Sequence, residues 1–284
     1  PWIGSLELVA IHNDTPELVA FRKQRLEVDK VSLTTVKRTL EVLRHILNLA
    51  ARKWRNEDNQ PWLPIAPPLL DMPKNPHARA PYPLAWDEQQ LLFSWLPKHL
   101  AEMALFKVNT GTRESEVCGL QWEWEQKVPE LSTSVFVIPG GHVKNAEDRL
   151  VVMNETARAV IDARRGEHRT HVFAHRDKPV VHMNNTAWQR ARREAAAEYE
   201  AILGRPCPPP FARIRVHDLK HTYGRRLRSA GVSLETRKLL LGHKNGDITT
   251  HYSAAEIGEL VMASNRLSTA KATPTITLLR ASNG

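Results

Sequence analysis

Cysteine and long apolar runs are both scarce in this sequence. The 284 residues include two cysteines, Cys118 and Cys207, which form no Cys-x-x-Cys pair. This spacing argues against a disulfide framework and favours a reducing cytoplasm. No apolar run approaches the roughly 18 residues that a membrane-spanning helix needs, so no membrane partner is expected.

Several common catalytic signatures are missing as well. The chain has no Walker-type or Rossmann-type glycine loop, and the pair Gly140-Gly141 is too short to cradle a phosphate. No nucleophile-elbow pattern occurs, so a serine or cysteine triad is not indicated. The chain begins Pro-Trp-Ile-Gly, without Met or a signal-like segment, which predicts a piece of a longer protein.

Acidic residues are too few to balance the basic ones. Lysine and arginine number 40 against 31 aspartates and glutamates, giving a net charge of +9 and a pI near 9.7. An excess of this size favours a polyanionic partner, most commonly nucleic acid. The alternative is a soluble protein that is basic without any such partner.

Residues 1–72 have the pattern of a helical domain. A helix is predicted after Ser32, and its apolar positions recur every three or four residues: Val36, Leu40, Leu43, Leu47, Ala50 and Trp54. The other face is basic and carries Lys37, Arg38, Arg44, Arg52 and Lys53. That face is either a solvated surface or a row of contacts to a DNA backbone.

Proline then interrupts the helical pattern between residues 56 and 83. Proline at this density prevents helix and sheet interior, which predicts an extended linker at 73–85 and a second domain at 86–284. In the second domain, helical periods surround two short apolar strands near 135–139 and 150–153, joined by a hairpin with Lys144 near its tip. The predicted fold class is therefore mainly α with a small β-sheet.

The last third of the chain concentrates groups suited to chemistry on a phosphodiester. His217, Lys220 and His221 share one helical repeat, His243 follows in a Leu-Gly-His turn, and Tyr252 comes nine residues later. Cations neutralise phosphate charge, imidazoles move protons, and a phenol can act as a nucleophile. The three histidines could instead ligate a metal in a phosphodiesterase or form hydrogen bonds in a polar core. Nearby cations are candidates for DNA contacts: Arg213, Arg215 and Arg225.

Taken together, three motifs resemble those of the tyrosine recombinase family, which includes the phage integrases. The motifs are TGTRESEVCGLQW, HDLKHTYG and LLGHKNGDITTHY, with Lys144 between the first two. The resemblance implies a helical core-binding domain that lacks its first helix, followed by a catalytic domain. It further implies a site-specific recombinase that integrates or excises a phage or other mobile element through a 3′-phosphotyrosine intermediate.

The family pattern also implies a role for each site residue. Tyr252 would be the nucleophile, His217 its proton-transfer partner, and Lys144 the acid for the 5′-oxygen. The remaining roles are phosphate contacts from Arg113, position 220 and His243, with Glu116 orienting Arg113 and His221 in support. No metal, nucleotide or other cofactor is implied. The implied partners are double-stranded attachment sites and further copies of the chain, four in a synapse, with an accessory DNA-bending protein as another candidate.

Position 220 departs from the family pattern, which has arginine where this chain has Lys220. An ammonium cannot bind two phosphate oxygens through a planar fork as a guanidinium does. The departure opens a second interpretation, a DNA-binding protein of the same fold with impaired catalysis. On the pattern alone, Lys220→Arg is predicted to speed strand cleavage. The tail strand at 275–279 is predicted to dock on a neighbouring protomer or to be a disordered terminus.

Overall fold

The structure, a computed structural model, describes residues 3–74, 79–144, 146–242 and 253–269. The chain forms two compact units, Pro1–Ala80 and Pro81–Gly284. The predicted linker, 73–85, straddles this division, and its described part has no regular secondary structure. The functions predicted for the two domains remain predictions.

Two helices form the core of the N-terminal unit. Helix α1 spans Pro16–Lys23 and continues into a π-helical turn, Gln24–Val28. Helix α2 spans Leu33–Arg52 and begins after Ser32, whose hydroxyl accepts a hydrogen bond from the Thr35 amide (3.2 Å). This bond satisfies one of the unpaired donors at the helix start.

The apolar face predicted for α2 is confirmed. Val36, Leu40, Leu47 and Ala50 are buried and pack in one cluster with Leu18 of α1. Leu43 and Trp54 pack partly buried against the same cluster. The predicted basic face is exposed at each of its members, Lys37, Arg38, Arg44, Arg52 and Lys53.

Helices also make up most of the second unit. They are α3 (Trp86–Ser94), α4 (Lys98–Thr110), α5 (Glu114–Cys118), α6 (Glu155–Ala163), α7 (Thr186–Ala197), α8 (Tyr199–Leu203), α9 (Pro209–Ala212), α10 (Asp218–Ser229), α11 (Leu234–Leu241) and α12 (Ala254–Thr269). Within the described ranges, no helix is long and apolar enough to cross a bilayer.

A three-stranded antiparallel sheet lies between α5 and α6. Its order is β1 (Glu125–Val128), β2 (Thr133–Ile138) and β3 (Arg149–Val151), with Phe136 opposite Val151. Strands β2 and β3 form the predicted hairpin. The sequence pattern does not predict β1, because Glu-Gln-Lys-Val shows no apolar alternation.

A second antiparallel pair joins β4 (Ala174–His175) to β5 (Lys178–Pro179). The short apolar run Val172-Phe173-Ala174 predicts a strand, but only Ala174 belongs to one. Val172 and Phe173 are buried but lie ahead of β4, and the Val172 amide bonds instead to the Leu120 carbonyl (2.9 Å). Burial explains why these residues look strand-like in sequence.

Helix α4 lies at the centre of the second unit, packed against both α6 and α10. Its residues Leu100, Met103 and Phe106 are fully buried in the core. Helix α12 packs on α10, where the hydroxyls of Tyr223 and Ser264 are 2.9 Å apart. Segments distant in sequence are thereby brought together at the C-terminal end of α4.

Candidate active site

The turn after α4 delivers Arg113 to the start of α5. Helix α4 ends at Gly111, whose φ is 65°, and a Cβ there would lie 2.6 Å from the Tyr223 ring. Glycine is required there because φ is positive and because no room is left for a side chain. The chain can therefore turn tightly against α10, and Arg113 becomes the N-cap residue of α5.

Glu116 holds Arg113 from one turn further along α5. The Arg113 backbone amide donates to one carboxylate oxygen of Glu116 and its Nη1 donates to the other, each at 2.6 Å. Glu116 is fully buried, whereas the Arg113 side chain keeps a fifth of its surface exposed. This geometry suits a carboxylate that orients an arginine whose remaining donors face outward.

A second arginine, Arg149, joins this pair although no motif marks it. Its Nη1 donates to Glu116 (2.6 Å) and its Nη2 donates to the Gly111 carbonyl (3.1 Å), and only 3% of the residue is exposed. The available signal is strand alternation, because Arg149 lies two residues before buried Val151 and so shares its inward face.

The two arginines fix the ionisation of Glu116. Burial alone would raise the pKa of this carboxyl, but the charge of Arg149 and the hydrogen bonds from Arg113 outweigh it and hold the pKa below its ordinary value. Glu116 is therefore an ionised carboxylate shared between two guanidinium groups.

Lys220, the residue that departs from the family pattern, lies in the same cluster. Its ammonium donates to the Gly111 carbonyl (2.9 Å) and to the Leu241 carbonyl, and the residue is 5% exposed. Burial, followed by the charge of Arg149, lowers its pKa to about 6. Lys220 thus ties α10 to the turn that carries Arg113 and to the end of α11.

A further lysine, Lys107 of α4, is completely buried beside these groups. Its ammonium donates to the Thr112 carbonyl, and burial lowers its pKa to about 7 although Glu116 acts in the opposite direction. The sequence signal for its burial is its position, because Lys107 lies one turn beyond Met103 and Ala104 on the core face of α4. We call Lys107, Arg113, Arg149 and Lys220, gathered around Glu116, the cation cluster.

The predicted histidine pair lies at the start of α10, next to the cation cluster. The rings of His217 and His221 meet edge to face with centroids 4.9 Å apart. Partial burial, and then the charges of Lys107, His221 and Lys220, lower the pKa of His217 to about 4. His221 shifts in the same direction, mainly through burial. At neutral pH both imidazoles are therefore uncharged and can accept a proton.

Lys144 lies apart from this buried group, exposed in the connection between β2 and β3. Gly140 shapes that connection, because a Cβ there would lie only 2.7 Å from the Ala146 carbonyl oxygen. The Gly140 amide also donates to the Asp148 carboxylate (2.8 Å). The structure therefore places Lys144 on the surface, outside the cation cluster.

The other predicted site residues divide into two groups. Arg213 and Arg215 are exposed and Arg225 is half-buried. His243 and Tyr252 lie outside the described residues. The structure thus brings together Arg113, Glu116 and Lys220 with the histidine pair, and it adds Lys107 and Arg149.

Charges of both signs surround the histidine pair. Lys107 and Lys220 lower the pKa of both imidazoles, whereas the carboxylate of Asp218 raises it. Across the part of the chain that the structure describes, no three His, Cys, Asp or Glu side chains form a metal-binding group. His243, the third ligand of that hypothesis, lies outside this part.

A sequence model of the phage integrase family matches residues 87–258, more than half of the chain. The chain belongs to the phage integrase family. The match includes Arg113, the hairpin with Lys144, α10 and the position of Tyr252.

Individual relatives agree with this assignment. The integrase of Salmonella phage P22 is 26% identical to this phage integrase family member over 234 residues, 75% of this chain and 52% of that protein. The chain thus spans about half the length of that relative. The Tn1549 transposon integrase, solved with circular intermediate DNA, has a TM-score of 0.56 at 15% identity and covers 91% of this chain and 88% of its own.

The XerH recombinase, solved as a post-cleavage complex with a palindromic difH substrate, has a TM-score of 0.51 at 14% identity. The alignment covers 86% of this chain and 68% of XerH. At these identities the structural likeness establishes the fold. It confirms the predicted fold class, mainly α with a small β-sheet.

The packing around Lys220 favours the opposite outcome for Lys220→Arg from the one that the family pattern predicts. Arg149 already donates to the Gly111 carbonyl that Lys220 uses, so a second guanidinium would crowd it with like charge. Overpacking a buried site forces backbone shifts, and the Gly111 turn carries Arg113, so we expect strand cleavage to slow about tenfold or more. The measurement is the initial rate of covalent adduct formation on nicked DNA; a rate above that of the wild type would contradict this packing argument.

The buried lysines should make stability depend on pH. An unfolded lysine has a pKa near 10.4, whereas the folded values for Lys107 and Lys220 are about 7 and about 6. Between pH 7 and about 8.5 the unfolded chain therefore binds more protons, and the free energy of unfolding should rise with pH by up to about 1.4 kcal/mol per unit per lysine.

Urea unfolding across this pH range measures the effect. Lys107→Met should flatten the rise, because one of the two titrating groups is gone. Lys98→Met, at a lysine whose side chain is 84% exposed, should leave the slope unchanged. Equal slopes for the wild type and Lys107→Met would show that Lys107 remains protonated in the folded chain.

Proposed function

We propose that this member of the phage integrase family is a site-specific DNA recombinase. It cleaves and rejoins DNA through a 3′-phosphotyrosine intermediate and integrates or excises a phage or other mobile element. The cation cluster carries this proposal. Two arginines bind one buried carboxylate, and two buried lysines bond to carbonyls of the adjoining turn. The guanidinium charge therefore exceeds the carboxylate charge, and a phosphodiester would supply the missing negative charge.

The chemistry follows from the groups in and near the cation cluster. The phenol oxygen of Tyr252 attacks the scissile phosphorus, and the bond from phosphorus to the 5′-oxygen breaks. His217, uncharged at neutral pH, takes the phenol proton, and Lys144 gives a proton to the departing 5′-oxygen. Arg113 and His243 bind the non-bridging oxygens. Rejoining is the reverse reaction with a 5′-hydroxyl as nucleophile, so neither nucleotide nor metal is consumed.

Lys220 does not favour the alternative of a DNA-binding protein with impaired catalysis. Its side-chain nitrogen lies inside the cation cluster, hydrogen-bonded to the same Gly111 carbonyl as a guanidinium. Position 220 keeps a hydrogen-bond donor, and Arg149 contributes a second guanidinium beside it. The departure from the family pattern is therefore a local rearrangement in which Arg149 supplies positive charge to the site.

The proposed partner is duplex DNA carrying an attachment site. Support comes from the exposed basic face of α2 and from the exposed Arg213 and Arg215, whose contacts to phosphates would make binding strongly salt-dependent. The Tn1549 integrase and XerH structures each contain DNA. By family resemblance we also propose a tetramer in the synapse, and an accessory DNA-bending protein remains a candidate partner.

A nicked suicide substrate tests the proposed function. The chain is incubated in EDTA with an attachment-site duplex, nicked so that the cleaved end diffuses away, and covalent protein–DNA adducts are separated on a denaturing gel. The wild type should form an adduct and Tyr252→Phe should form none. Specific binding without any adduct from the wild type would point to a DNA-binding protein, whereas cleavage that survives Tyr252→Phe and stops in EDTA would point to a metal-dependent phosphodiesterase.

A further inference from the structure

The guanidinium of Arg149 contacts two segments of the candidate site, and Arg149 itself lies on a third. It bonds to Glu116 and to the Gly111 carbonyl, on either side of Arg113 in sequence. A Cβ placed on Gly242 would lie 2.9 Å from Cζ of Arg149, so the backbone just before His243 packs directly on the guanidinium. Arg149 itself begins β3, at the end of the hairpin that carries Lys144.

The burial of Arg149 indicates how it can act. At 3% exposure it is too deep to reach a DNA backbone. Its Nε is buried with no hydrogen-bond partner among the described residues, an arrangement that costs stability. An apolar residue at this position would leave the buried Glu116 carboxylate with Arg113 as its remaining guanidinium partner in the described structure.

We propose that Arg149 is a positioning residue for strand cleavage. Its guanidinium bonds to Glu116, which orients Arg113, and to the Gly111 carbonyl, and it packs against Gly242, the residue before His243. These contacts fix the position of Arg113 relative to the Gly242 turn. This inference rests on the proposed function. It also accounts for position 220, because the planar fork of Arg149 serves a carboxylate and a carbonyl at once. Lys220 then needs only a compact ammonium that reaches the Gly111 and Leu241 carbonyls.

Arg164 offers a matched control elsewhere in the second unit. It is equally buried, at 3% exposure, and its guanidinium likewise bonds to a carboxylate, Glu102 (2.7 Å), and to the carbonyls of Val172 (2.9 Å) and Ala174 (2.8 Å). Its partners belong to none of the segments that carry proposed catalytic residues. Loss of Arg164 therefore reports the cost of removing a buried arginine without disturbing the cation cluster.

The experiment compares Arg149→Lys, Arg149→Met and Arg164→Met with the wild type in the nicked-substrate assay at saturating protein. Affinity for the intact duplex is measured alongside by fluorescence anisotropy, at a temperature where urea unfolding shows every variant folded. We expect both Arg149 variants to form adduct about 10- to 100-fold more slowly, with the duplex Kd within about threefold of wild type. Arg164→Met should lose stability and keep the wild-type rate.

A wild-type rate in Arg149→Lys would overturn the inference, because an ammonium cannot make the planar pair of contacts. An equal loss of rate in Arg164→Met would also overturn the inference, because the slower cleavage would then follow from lost stability alone. If Arg149→Met does not fold, Arg149→Lys is compared with Arg164→Lys, which makes the same change at the matched buried arginine and should keep the wild-type rate. Absence of adduct from the wild type would overturn the proposed function itself, which separates the two failures.

Discussion

The Glu116→Gln variant is expected to lose about 3–5 kcal/mol of unfolding free energy, the range observed when one partner of a buried ion pair is removed. Glutamine keeps the shape of the side chain but not its charge. Arg149, 3% exposed, would be left as a buried cation facing an amide. Arg113 would lose its ionic partner as well, although its partial exposure lets water compensate.

Urea unfolding at neutral pH measures this loss. Asp162→Asn is the matched control, because Asp162 pairs with Arg158 and Arg165 through side chains that are about half exposed. Exposed pairs of this kind contribute about 0–1 kcal/mol, so the control should unfold close to the wild type. A loss of less than about 1 kcal/mol in Glu116→Gln would mean that Arg149 finds water or another partner, against the buried geometry.

The Arg113→Ala variant is expected to form the covalent adduct about 10²- to 10³-fold more slowly than the wild type, the cost of removing one preorganised donor to a developing oxyanion. Arg113 is suited to that role because only Nη1 of its guanidinium is used by Glu116 in the described structure. Affinity for duplex DNA should change little, since binding draws on many phosphate contacts.

The rate is measured at saturating protein, so that a loss of affinity cannot imitate a loss of catalysis. Arg193→Ala provides the control, because Arg193 is 75% exposed on α7 and its ion pair in the described structure is with its neighbour Glu194. That variant should react at the wild-type rate. If Arg113→Ala reacted within threefold of the wild type, Arg113 would not be a phosphate ligand, and the cation cluster would need a different role.

Local rules in the sequence predict much of this fold. The spacing of Val36, Leu40 and Leu47 determines the buried face of α2, because that face follows from helix geometry alone. The pairing of Arg113 with Glu116 is predictable for the same reason, since residues three apart lie on one side of a helical turn. Strand β1 escapes prediction because its pairing with β2, rather than its own sequence, makes it a strand.

The centre of the candidate site escapes prediction for a related reason. Arg149 and Glu116 lie 33 residues apart in sequence, and no periodicity links them. Lys107 resembles an ordinary surface lysine in composition, and only its place on the core face of α4 marks it as buried. The role of Lys220 is equally hidden in the sequence, because its environment consists of Arg149 and the carbonyls of Gly111 and Leu241. This environment exists only in the folded chain.

The identity of the residue that becomes joined to DNA tests the phosphotyrosine mechanism most directly. The adduct trapped on the nicked substrate is digested with a protease and a nuclease, and the nucleotide-bearing peptide is sequenced by mass spectrometry. We predict a single modified residue, Tyr252, linked to a 3′-phosphate, in a yield that falls in Arg113→Ala. A nucleotide on any other residue, or cleaved DNA without a covalent peptide, would contradict the proposed phosphotyrosine mechanism.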